Sequence, residues 1–335
     1  SDKITYFKNK EIVFTYGNSR AIRENTNIEA NNFNYDKFKN ILNANGAVKI
    51  ENEKENYIIY SDEIIYQKND EKIFTKNNSK GIYNNINIIS DNFNFDRNTN
   101  ILNANGNVQI DDKIENYKIN AKDITYFKTL DKFVSKGKTT AIIENKYNID
   151  SSDVTLDRKF KELKSKKPSV IIDNNYNLYK LTNFIFFYEK EFLKGENIQV
   201  DTDYLNKKSD KYFFTNAFFD FINKTFVSKD TKVLPHKELF DKEREVVEGK
   251  ENIFYGQNDP RIYGKSSKGN EKKIIVEKAI FTSCKKSDKC PPWSIKSDKI
   301  THDRVKQNIY YQNAVLNLYD VPVFYFPKFF HPDPS

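Results

Sequence analysis

The sequence predicts an all-β fold of stacked, kinked strand layers, and three observations point to it: a long repeat, a period of two and regularly spaced glycines. The seven residues Asn40-Ile-Leu-Asn-Ala-Asn-Gly46 recur unchanged at Asn100 to Gly106, an offset of 60. Phe33-Asn-Tyr-Asp36 returns as Phe93-Asn-Phe-Asp96 at the same offset. A fixed period of this length is typical of proteins built from stacked, similar units.

A third copy of the repeat begins near residue 1. Ile4-Thr-Tyr-Phe-Lys8 matches Ile124-Thr-Tyr-Phe-Lys128 at twice the offset, and Glu55-Asn-Tyr57 returns as Glu115-Asn-Tyr117. Clear repeats therefore cover residues 1–160, and weaker ones extend the predicted repeat domain to residue 280. Within the weaker part, Phe184 to Tyr188 and Tyr212 to Phe221 are expected to be further strands.

Glycines divide the period into halves. Gly17, Gly46, Gly106 and Gly137 stand about thirty residues apart except for one gap, which Asn77 fills. Glycine, and after it asparagine, best tolerates the left-handed backbone conformation. We predict that the chain bends at these five positions.

The alternation of apolar and polar residues predicts strands between the bends. It has a period of two from Leu42 to Ile50 and from Leu102 to Ile110, as in half-buried strands. From Tyr117 to Ala121 the same alternation holds and then slips by one residue before Ile124, which indicates a bulge or corner. Each half-unit is therefore expected to be two short strands joined at a kink, and the stack to be two facing, mainly antiparallel sheets around an apolar groove.

Composition agrees with a folded β protein. The 335 residues include 27 Phe and 21 Tyr, which favour strands, although 30% of the residues are charged. Stacked repeats grow as one body, so we expect a single elongated body in spite of the chain length. No segment reaches the ~18 apolar residues that a spanning helix needs. The sequence has neither a signal peptide nor any Met, so we expect a mature or trimmed fragment.

The net charge of +8 favours an anionic partner, such as nucleic acid, phospholipid or phosphorylated glycolipid. Acidic residues are interspersed throughout, and the runs Lys164 to Lys167 and Lys272-Lys273 are too short for a nucleic-acid interface. We interpret both runs as solvated loops and predict no nucleic-acid partner. The many Asn, Lys and Ile residues are typical of an AT-rich genome and carry little functional weight.

Two cysteines, Cys284 and Cys290, lie six residues apart. This spacing is neither that of a thioredoxin motif nor that of a zinc ribbon. His302 could supply a third metal ligand, but no fourth has suitable spacing, so we predict no metal site. A disulfide in an oxidising compartment is favoured, either between the two cysteines or with partners outside this sequence.

No catalytic constellation is recognisable in the sequence. The histidines His236, His302 and His331 lie outside any nucleophile, metal or phosphate-loop motif, and His302-Asp303 fits a strand end followed by a turn. Paired carboxylates such as Asp111-Asp112, or Asp201 with Asp203, fit turns and edges and have no defined cleft. We therefore predict neither an enzyme nor a cofactor.

A non-repeat block near the C terminus carries the most distinctive motifs. They are Phe281-Thr-Ser-Cys284, Cys290-Pro-Pro-Trp-Ser-Ile295, Ile300-Thr-His-Asp303 and Val321-Pro-Val-Phe-Tyr-Phe-Pro327. With the repeats, these motifs resemble the periplasmic part of the outer-membrane lipopolysaccharide-assembly protein family, LptD, also called organic solvent tolerance protein (OstA-like repeats). The repeats alone also occur in the soluble bridge proteins of the same pathway, whereas the C-terminal series is more specific.

The resemblance implies a β-jellyroll, or β-taco, on the periplasmic side of the Gram-negative outer membrane. It implies that lipopolysaccharide arrives from an LptA-like bridge protein, travels with its acyl chains in the groove and passes to a membrane β-barrel absent from this chain. An LptE-like plug lipoprotein would bind that barrel. Residues 281–335 would complete the jellyroll and lead into the barrel. Cys284 matches a family cysteine that pairs with the C-terminal region of the barrel, but Cys290 departs from the pattern, so the pairing stays open.

The repeated inner positions supply the predicted lipid-binding surface. Burying an alkyl chain there would gain roughly 0.8 kcal/mol per methylene. The alternative is that these side chains only fill a closed core. The candidate groove residues are Leu42, Val48, Ile50, Ile64, Tyr66, Phe93, Phe95, Leu102, Val108, Ile110, Ile124 and Tyr126.

The ends of a strand stack expose unpaired edges that can bind another chain. We predict that a bridge jellyroll adds by strand pairing to the edge from Ile4 to Phe14, at Ile4, Tyr6 and Val13. Two alternatives remain: a stand-alone bridge protein of the same pathway, and a structural or adhesive β-solenoid. The Cys, Trp and Pro block favours a periplasmic domain joined to a membrane β-barrel over both alternatives. Amphipathic strands after Ser335 would favour it further.

Overall fold

The computed structural model describes residues 1–205, 209–235, 260–284 and 291–332. The chain divides into two compact units, Ser1–Ser165 and Lys166–Ser335. The regular secondary structure of the described residues is almost entirely β-strand, and the pairings within each unit are antiparallel. The predicted all-β jellyroll of stacked, V-shaped antiparallel layers is confirmed. The predicted segment 281–335 belongs to unit 2 together with residues 166–280.

Unit 1 is described in full, and its strands follow one another with short turns. Two single 3-10 turns, Lys8–Lys10 and Lys128–Leu130, occupy equivalent places in the repeat. The strands are β1 Lys3–Phe7, β2 Ile12–Arg23, β3 Thr26–Asp36, β4 Ile41–Asn52, β5 Tyr57–Gln67, β6 Lys72–Lys76, β7 Ser79–Tyr83, β8 Ile86–Ser90, β9 Asn92–Asp96, β10 Ile101–Asp112, β11 Tyr117–Phe127, β12 Lys132–Ile143, β13 Tyr147–Ser152, β14 Thr155–Asp157 and β15 Glu162–Ser165.

The chain bends at the five predicted positions. The φ angles are 67° at Gly17, 76° at Gly46, 60° at Asn77, 77° at Gly106 and 75° at Gly137. All five lie in the left-handed region that glycine, and after it asparagine, adopts at least cost. The ladder register shifts at the same places, for example between Asn45 and Val48. The prediction of bends at these positions is confirmed.

Each long strand of unit 1 passes through a bend and so contributes to two facing sheets. Every thirty-residue half-unit holds two such kinked strands, as in β4 and β5. The expectation of one kink per half-unit was therefore wrong, because the slip after Ala121 and the bend at Gly106 are separate corners of neighbouring strands. Sheet A comprises residues 3–7, 12–16, 32–36, 41–45, 63–67, 72–76, 92–96, 101–105, 123–127, 132–136, 155–157 and 162–164, and sheet B comprises residues 19–23, 26–30, 48–52, 57–61, 79–83, 86–90, 108–112, 117–121, 138–143 and 147–152.

The described strands of unit 2 repeat the kinked-strand plan, but no glycine among them takes a positive φ at a bend. Asn197, Asp230, Lys278 and Asn313 have φ angles between 47° and 51°, and each stands where the ladder of its strand skips a pair. The described strands are β16 Ser169–Ile172, β17 Leu178–Leu181, β18 Asn183–Phe187, β19 Phe192–Asp201, β20 Lys211–Asp220, β21 Thr225–Leu234, β22 Arg261–Asn270, β23 Lys273–Thr282, β24 Trp293–Asp303, β25 Asn308–Leu318 and β26 Val321–Pro332.

The core of unit 2 is aromatic. Tyr179 packs edge-on against Phe219 at 5.3 Å between ring centroids, and Phe214 lies 5.7 Å from Phe226. The strands expected at Phe184 to Tyr188 and Tyr212 to Phe221 are confirmed as β18 and β20. Their registers could not be predicted, because asparagine, aspartate and lysine replace glycine at the bends and hide the period.

Candidate functional site

Ten of the twelve candidate groove residues form the buried interior of unit 1. Val48, Ile50, Ile64, Val108 and Ile110 are each only 1% exposed. The other two, Leu42 and Leu102, are half-buried. The remaining buried members of the set are Tyr66, Phe93, Phe95, Ile124 and Tyr126.

Side chains of the two sheets meet directly in this interior. The ring of Tyr57 on sheet B packs edge-on against Phe95 on sheet A at 5.7 Å, and Tyr83 lies 6.2 Å from Tyr126. A Cβ at Gly81 would stand 3.5 Å from the Phe93 ring, at van der Waals contact distance, so the sheets are closely packed there. The interior is thus an apolar layer held between two sheets.

A cavity of about 380 Å³ opens in the first layers of unit 1. Val13, Ile28, Phe33 and Leu42 line it, and Arg23 stands among the polar residues of its wall. Leu42 is only half-buried because one side of it faces this space. The cavity is large enough to admit part of an alkyl chain without rearrangement.

A second, smaller cavity lies deeper in the stack and has a volume of about 50 Å³. It is lined by Tyr57, Ile59, Tyr83 and Leu102, with Lys128 as its charged residue. The interior of unit 1 is therefore nearly filled at this depth. A chain could pass only if the two sheets moved apart.

Ion pairs join the sheets on the side opposite the bends, which we name the mouth. Here the sheet A turns 68–71, 97–100, 128–131 and 158–161 face the sheet B strand ends and turns. Lys128 Nζ lies 2.8 Å from Glu55 Oε2, and Arg23 Nη1 lies 3.1 Å from Glu71 Oε1.

The same arrangement recurs one repeat later. Arg158 Nη2 lies 2.9 Å from Asp112 Oδ2, and Lys161 pairs with Glu115. Each pair links a residue of a sheet A turn to a residue at the end of a sheet B strand or in a sheet B turn. The pairs therefore fasten the mouth at successive layers.

Electrostatic effects at the mouth follow from these pairs and from burial. The hydrogen bond from Lys128 lowers the pKa of the Glu55 carboxyl below its ordinary value, so Glu55 is ionised at neutral pH. Burial raises the pKa of the Tyr57 hydroxyl to about 12, because the phenolate would lose its hydration. The mouth thus holds fixed charges directly above an apolar interior.

The three residues of the predicted partner edge take different positions. Ile4 and Tyr6 lie on β1 and are 66% and 46% exposed. Among the described residues, β1 pairs only with β2. Val13 instead lies on β2, between Tyr6 of β1 and Tyr35 of β3, so it is not on the edge. Its side chain lines the larger cavity.

Part of the C-terminal block is described. Cys284 is half-buried, and its Sγ lies 3.6 Å from the carbonyl oxygen of Trp293, whose ring packs against Phe281 at 5.8 Å. Cys290 and His236 lie outside the described residues, so the predicted disulfide stays a prediction. Along β26 both faces are exposed, with Phe324 at 64% and Tyr325 at 60%.

The described ranges contain no group of three or more His, Cys, Asp and Glu side chains arranged to hold a metal ion. No helix in the described part of the chain is long and apolar enough to cross a membrane.

Sequence reasoning did not find the charged residues of the mouth. Arg97 and Lys128 belong to turns whose charges look unremarkable among 55 Lys and Arg residues. One signal was present: Glu55-Asn-Tyr57 recurs at Glu115, although turns usually vary between repeats. A glutamate retained in a turn could have indicated a fixed partner.

No family model matches the chain, and no curated protein matches it. Among solved structures, the chain is similar to LptH, the LptA homologous periplasmic component of the conserved lipopolysaccharide transport device from Pseudomonas aeruginosa. The identity is 15% and the TM-score 0.30, and the match covers 31% of this chain and 78% of that one.

Proposed function

We propose that this chain is the lipid-carrying periplasmic part of an outer-membrane lipopolysaccharide translocon. It accepts lipopolysaccharide from a periplasmic bridge protein, shelters the acyl chains between sheets A and B, and passes the molecule to the membrane part for insertion in the outer leaflet. One observation carries the proposal. A continuous apolar interior lies between two facing sheets, and it opens into a cavity of about 380 Å³ in the first layers.

The interior can supply the necessary affinity. Burying ten methylenes of an acyl chain is worth about 8 kcal/mol, which offsets the cost of separating the sheets at least in part. The bends and strand ladders hold the sheets together on one side. On the other side, in the layers of Glu55 and Glu71, the contacts are partly exposed ion pairs, which water can replace at small cost. Opening of the mouth in these layers is therefore the motion that we propose.

Two alternative functions remain in competition with the proposal. A structural or adhesive solenoid would need no cavity between its sheets. A stand-alone bridge protein would need the cavity as well, but it would not need the exposed aromatic residues on both faces of β26. Those residues support a further apolar partner at this strand, which the proposal assigns to the membrane part of the translocon.

The proposal is tested by placing a photo-crosslinking amino acid in the interior of the full chain. Leu42 and Leu102 are the suitable positions, because both line cavities and tolerate a change better than fully buried residues. Ile89, which is 46% exposed on the outer surface of sheet B, is the matched control. We expect crosslinks to lipopolysaccharide from Leu42 and Leu102 and none from Ile89.

Equal capture at all three positions, or capture at none, would contradict the proposal. Replacing Val108 or Ile110 by Asp would be a poorer test. Both residues are 1% exposed, so the new carboxylate would be buried without a partner at a cost of several kcal/mol, and loss of binding would then reflect unfolding.

A further inference from the structure

Two cations lie beside the carboxylate of Glu55 at the mouth. Lys128 Nζ lies 2.8 Å from Glu55 Oε2, and Arg97 Nη2 lies 3.8 Å from Glu55 Oε1. The second distance is too long for a hydrogen bond. Arg97 is therefore close to the carboxylate without being held by it.

The charges of this cluster do not balance. Arg23, Arg97 and Lys128 supply three positive charges, and Glu55 and Glu71 supply two negative ones, which leaves one positive charge in excess. The side chains of Arg97 and Lys128 are 19% and 17% exposed, so solvent screens them only in part. The excess attracts an anion to this point of the mouth.

Arg97 also has hydrogen-bond donors to spare. Its Nη1 donates to Glu71 Oε2 at 2.6 Å, but its Nε is buried and has no hydrogen-bond partner in the part of the chain that the structure describes. Nε and Nη2 form the planar fork of a guanidinium that binds two oxygens of a phosphate or carboxylate at once. In Arg97 neither atom of that fork makes a hydrogen bond to a described residue.

A third unused donor belongs to Tyr57, whose ring lies beneath Lys128. Tyr57 is only 6% exposed, and its buried hydroxyl has no hydrogen-bond partner among the described residues. The Lys128 ammonium lies 5.7 Å from the centre of the Tyr57 ring and 5.0 Å from that of Tyr83. A buried hydroxyl without a partner costs free energy, and a bound acceptor would recover it.

The apolar cavity begins directly below these groups. Tyr57, Tyr83 and Lys128 line it together with the apolar residues Ile59 and Leu102. A ligand reaching Lys128 with an anionic group would therefore place an attached alkyl chain over the interior of unit 1. The polar and apolar parts of the site together fit an amphiphile with an anionic head group.

We propose that Arg97, Lys128 and Tyr57 form a binding site for the phosphate monoester of an amphiphile whose alkyl chain enters the interior below as the two sheets move apart at the mouth. The phosphate displaces the Glu55 carboxylate, which occupies the cations in the empty state. A phosphate monoester fits better than a carboxylate, because it carries nearly two negative charges at neutral pH and three acceptor oxygens. The inference rests on the proposed function and assigns the lipid phosphate a place in the mouth.

The corresponding arginine one layer on does not offer the same site. Arg158 Nη2 donates to Asp112 Oδ2 at 2.9 Å, and Arg158 Nη1 donates to both oxygens of Asp131. One atom of the Arg158 fork, Nη2, is thus already held by a carboxylate, although Arg158 Nε, like Arg97 Nε, is buried without a hydrogen-bond partner among the described residues. Both atoms of the fork are unused only in Arg97, so we place the proposed site in the layer of Glu55.

The test measures binding of dodecyl phosphate to the full chain, with dodecyl maltoside and inorganic phosphate as the other probes. Tyr57→Phe and Arg97→Lys should each weaken dodecyl phosphate binding by about tenfold, since each removes a hydrogen bond to a charged group. Glu55→Gln should strengthen it several-fold, because the competing carboxylate becomes neutral. Glu115→Gln, at the position one repeat later, is the matched control and should change nothing.

A gain of affinity in Glu55→Gln that is absent in Glu115→Gln cannot come from a loosened mouth, because both variants weaken an ion pair that joins the two sheets. The phosphate site is wrong if all variants bind dodecyl phosphate as the native chain does. It is also wrong if inorganic phosphate binds as tightly as dodecyl phosphate, since the alkyl chain would then contribute nothing. If the phosphate site proves wrong but Leu102 still crosslinks to lipopolysaccharide, the proposed function stands. If Leu102 does not crosslink to lipopolysaccharide, both the phosphate site and the proposed function are wrong.

Discussion

Thr75 lies two residues before the bend at Asn77, and its Oγ1 accepts a hydrogen bond from the backbone N–H of Phe93 at 2.7 Å. The relationship recurs with the repeat, from Phe33 N to Thr15 Oγ1 and from Val154 N to Ser135 Oγ, each at 2.9 Å. At a bend the strand ladder is interrupted, and the N–H of the neighbouring strand loses its carbonyl partner. The hydroxyl replaces that carbonyl, so these side chains hold the two sheets at their common corner.

Replacing Thr75 by Val should destabilise the protein by about 1–3 kcal/mol, because the buried Phe93 N–H loses its acceptor while the shape is kept. Thr75→Ser, which keeps the hydroxyl, should lose much less. Urea denaturation followed by circular dichroism measures both. Equal stability of the two variants would show that the hydroxyl is not the acceptor that matters.

Gly106→Ala should be more destabilising than Gly137→Ala. Both glycines have φ near 75°, so alanine costs about 1–2 kcal/mol at either position. At Gly106 the new Cβ would also meet the Asp91 carboxylate, which must move, whereas nothing lies within 4 Å at Gly137. Gly137→Asn should cost least, since Asn occupies the equivalent bend at residue 77. Denaturant midpoints that order these variants differently would contradict this account.

Arg158→Ala should destabilise the protein by about 3–5 kcal/mol, because it leaves the Asp112 carboxylate buried without its partner. The Asp112 side chain is fully buried, and Arg158 also binds Asp131. Lys278→Ala is the control. It breaks the ion pair between Lys278 and Asp298, whose side chains are 70% and 50% exposed respectively, and it should have no measurable effect on stability. Thermal melting of the two variants checks the difference.

Tyr57→Phe should reduce the loss of stability at alkaline pH. Burial raises the Tyr57 pKa from 10.0 to about 12, so its contribution is complete below pH 10 and is lost as the pH rises from 10 through 12. At pH 11 the difference is about 1.4 kcal/mol, equal to one pKa unit. Urea denaturation at pH 9 and pH 11 measures it, with the exposed Tyr60→Phe as the control. If Tyr57→Phe loses as much stability between pH 9 and pH 11 as the native chain does, the raised pKa of Tyr57 is refuted.

A photo-crosslinker at Tyr6 should capture the bridge jellyroll, because β1 offers an exposed strand edge. The same crosslinker at Val13 should capture lipid instead, since Val13 lies between β1 and β3 and lines the cavity. Mass spectrometry of the crosslinked products separates the two outcomes. Protein captured from Val13 but not from Tyr6 would place the partner elsewhere.

Much of the fold of unit 1 was predictable because the physical causes are local. The period of two fixes which side chains face inward, and Gly or Asn every thirty residues fixes where the backbone can turn left-handed. Ten of the twelve groove candidates are buried for this reason. Unit 2 was harder, because Asn197, Asp230 and Lys278 take the same backbone conformation without a recognisable residue type.

The sequence by itself determined the stacked layers, their bends and their apolar inner face, since each depends on neighbours along one strand. Only the tertiary structure decided that Glu55 faces Arg97 and Lys128 across the mouth, because these residues lie 42 and 73 positions apart in the chain and meet only when both sheets are complete. It also decided that the inner face is nearly filled at Leu102 and open at Leu42, since packing volume depends on both sheets at once.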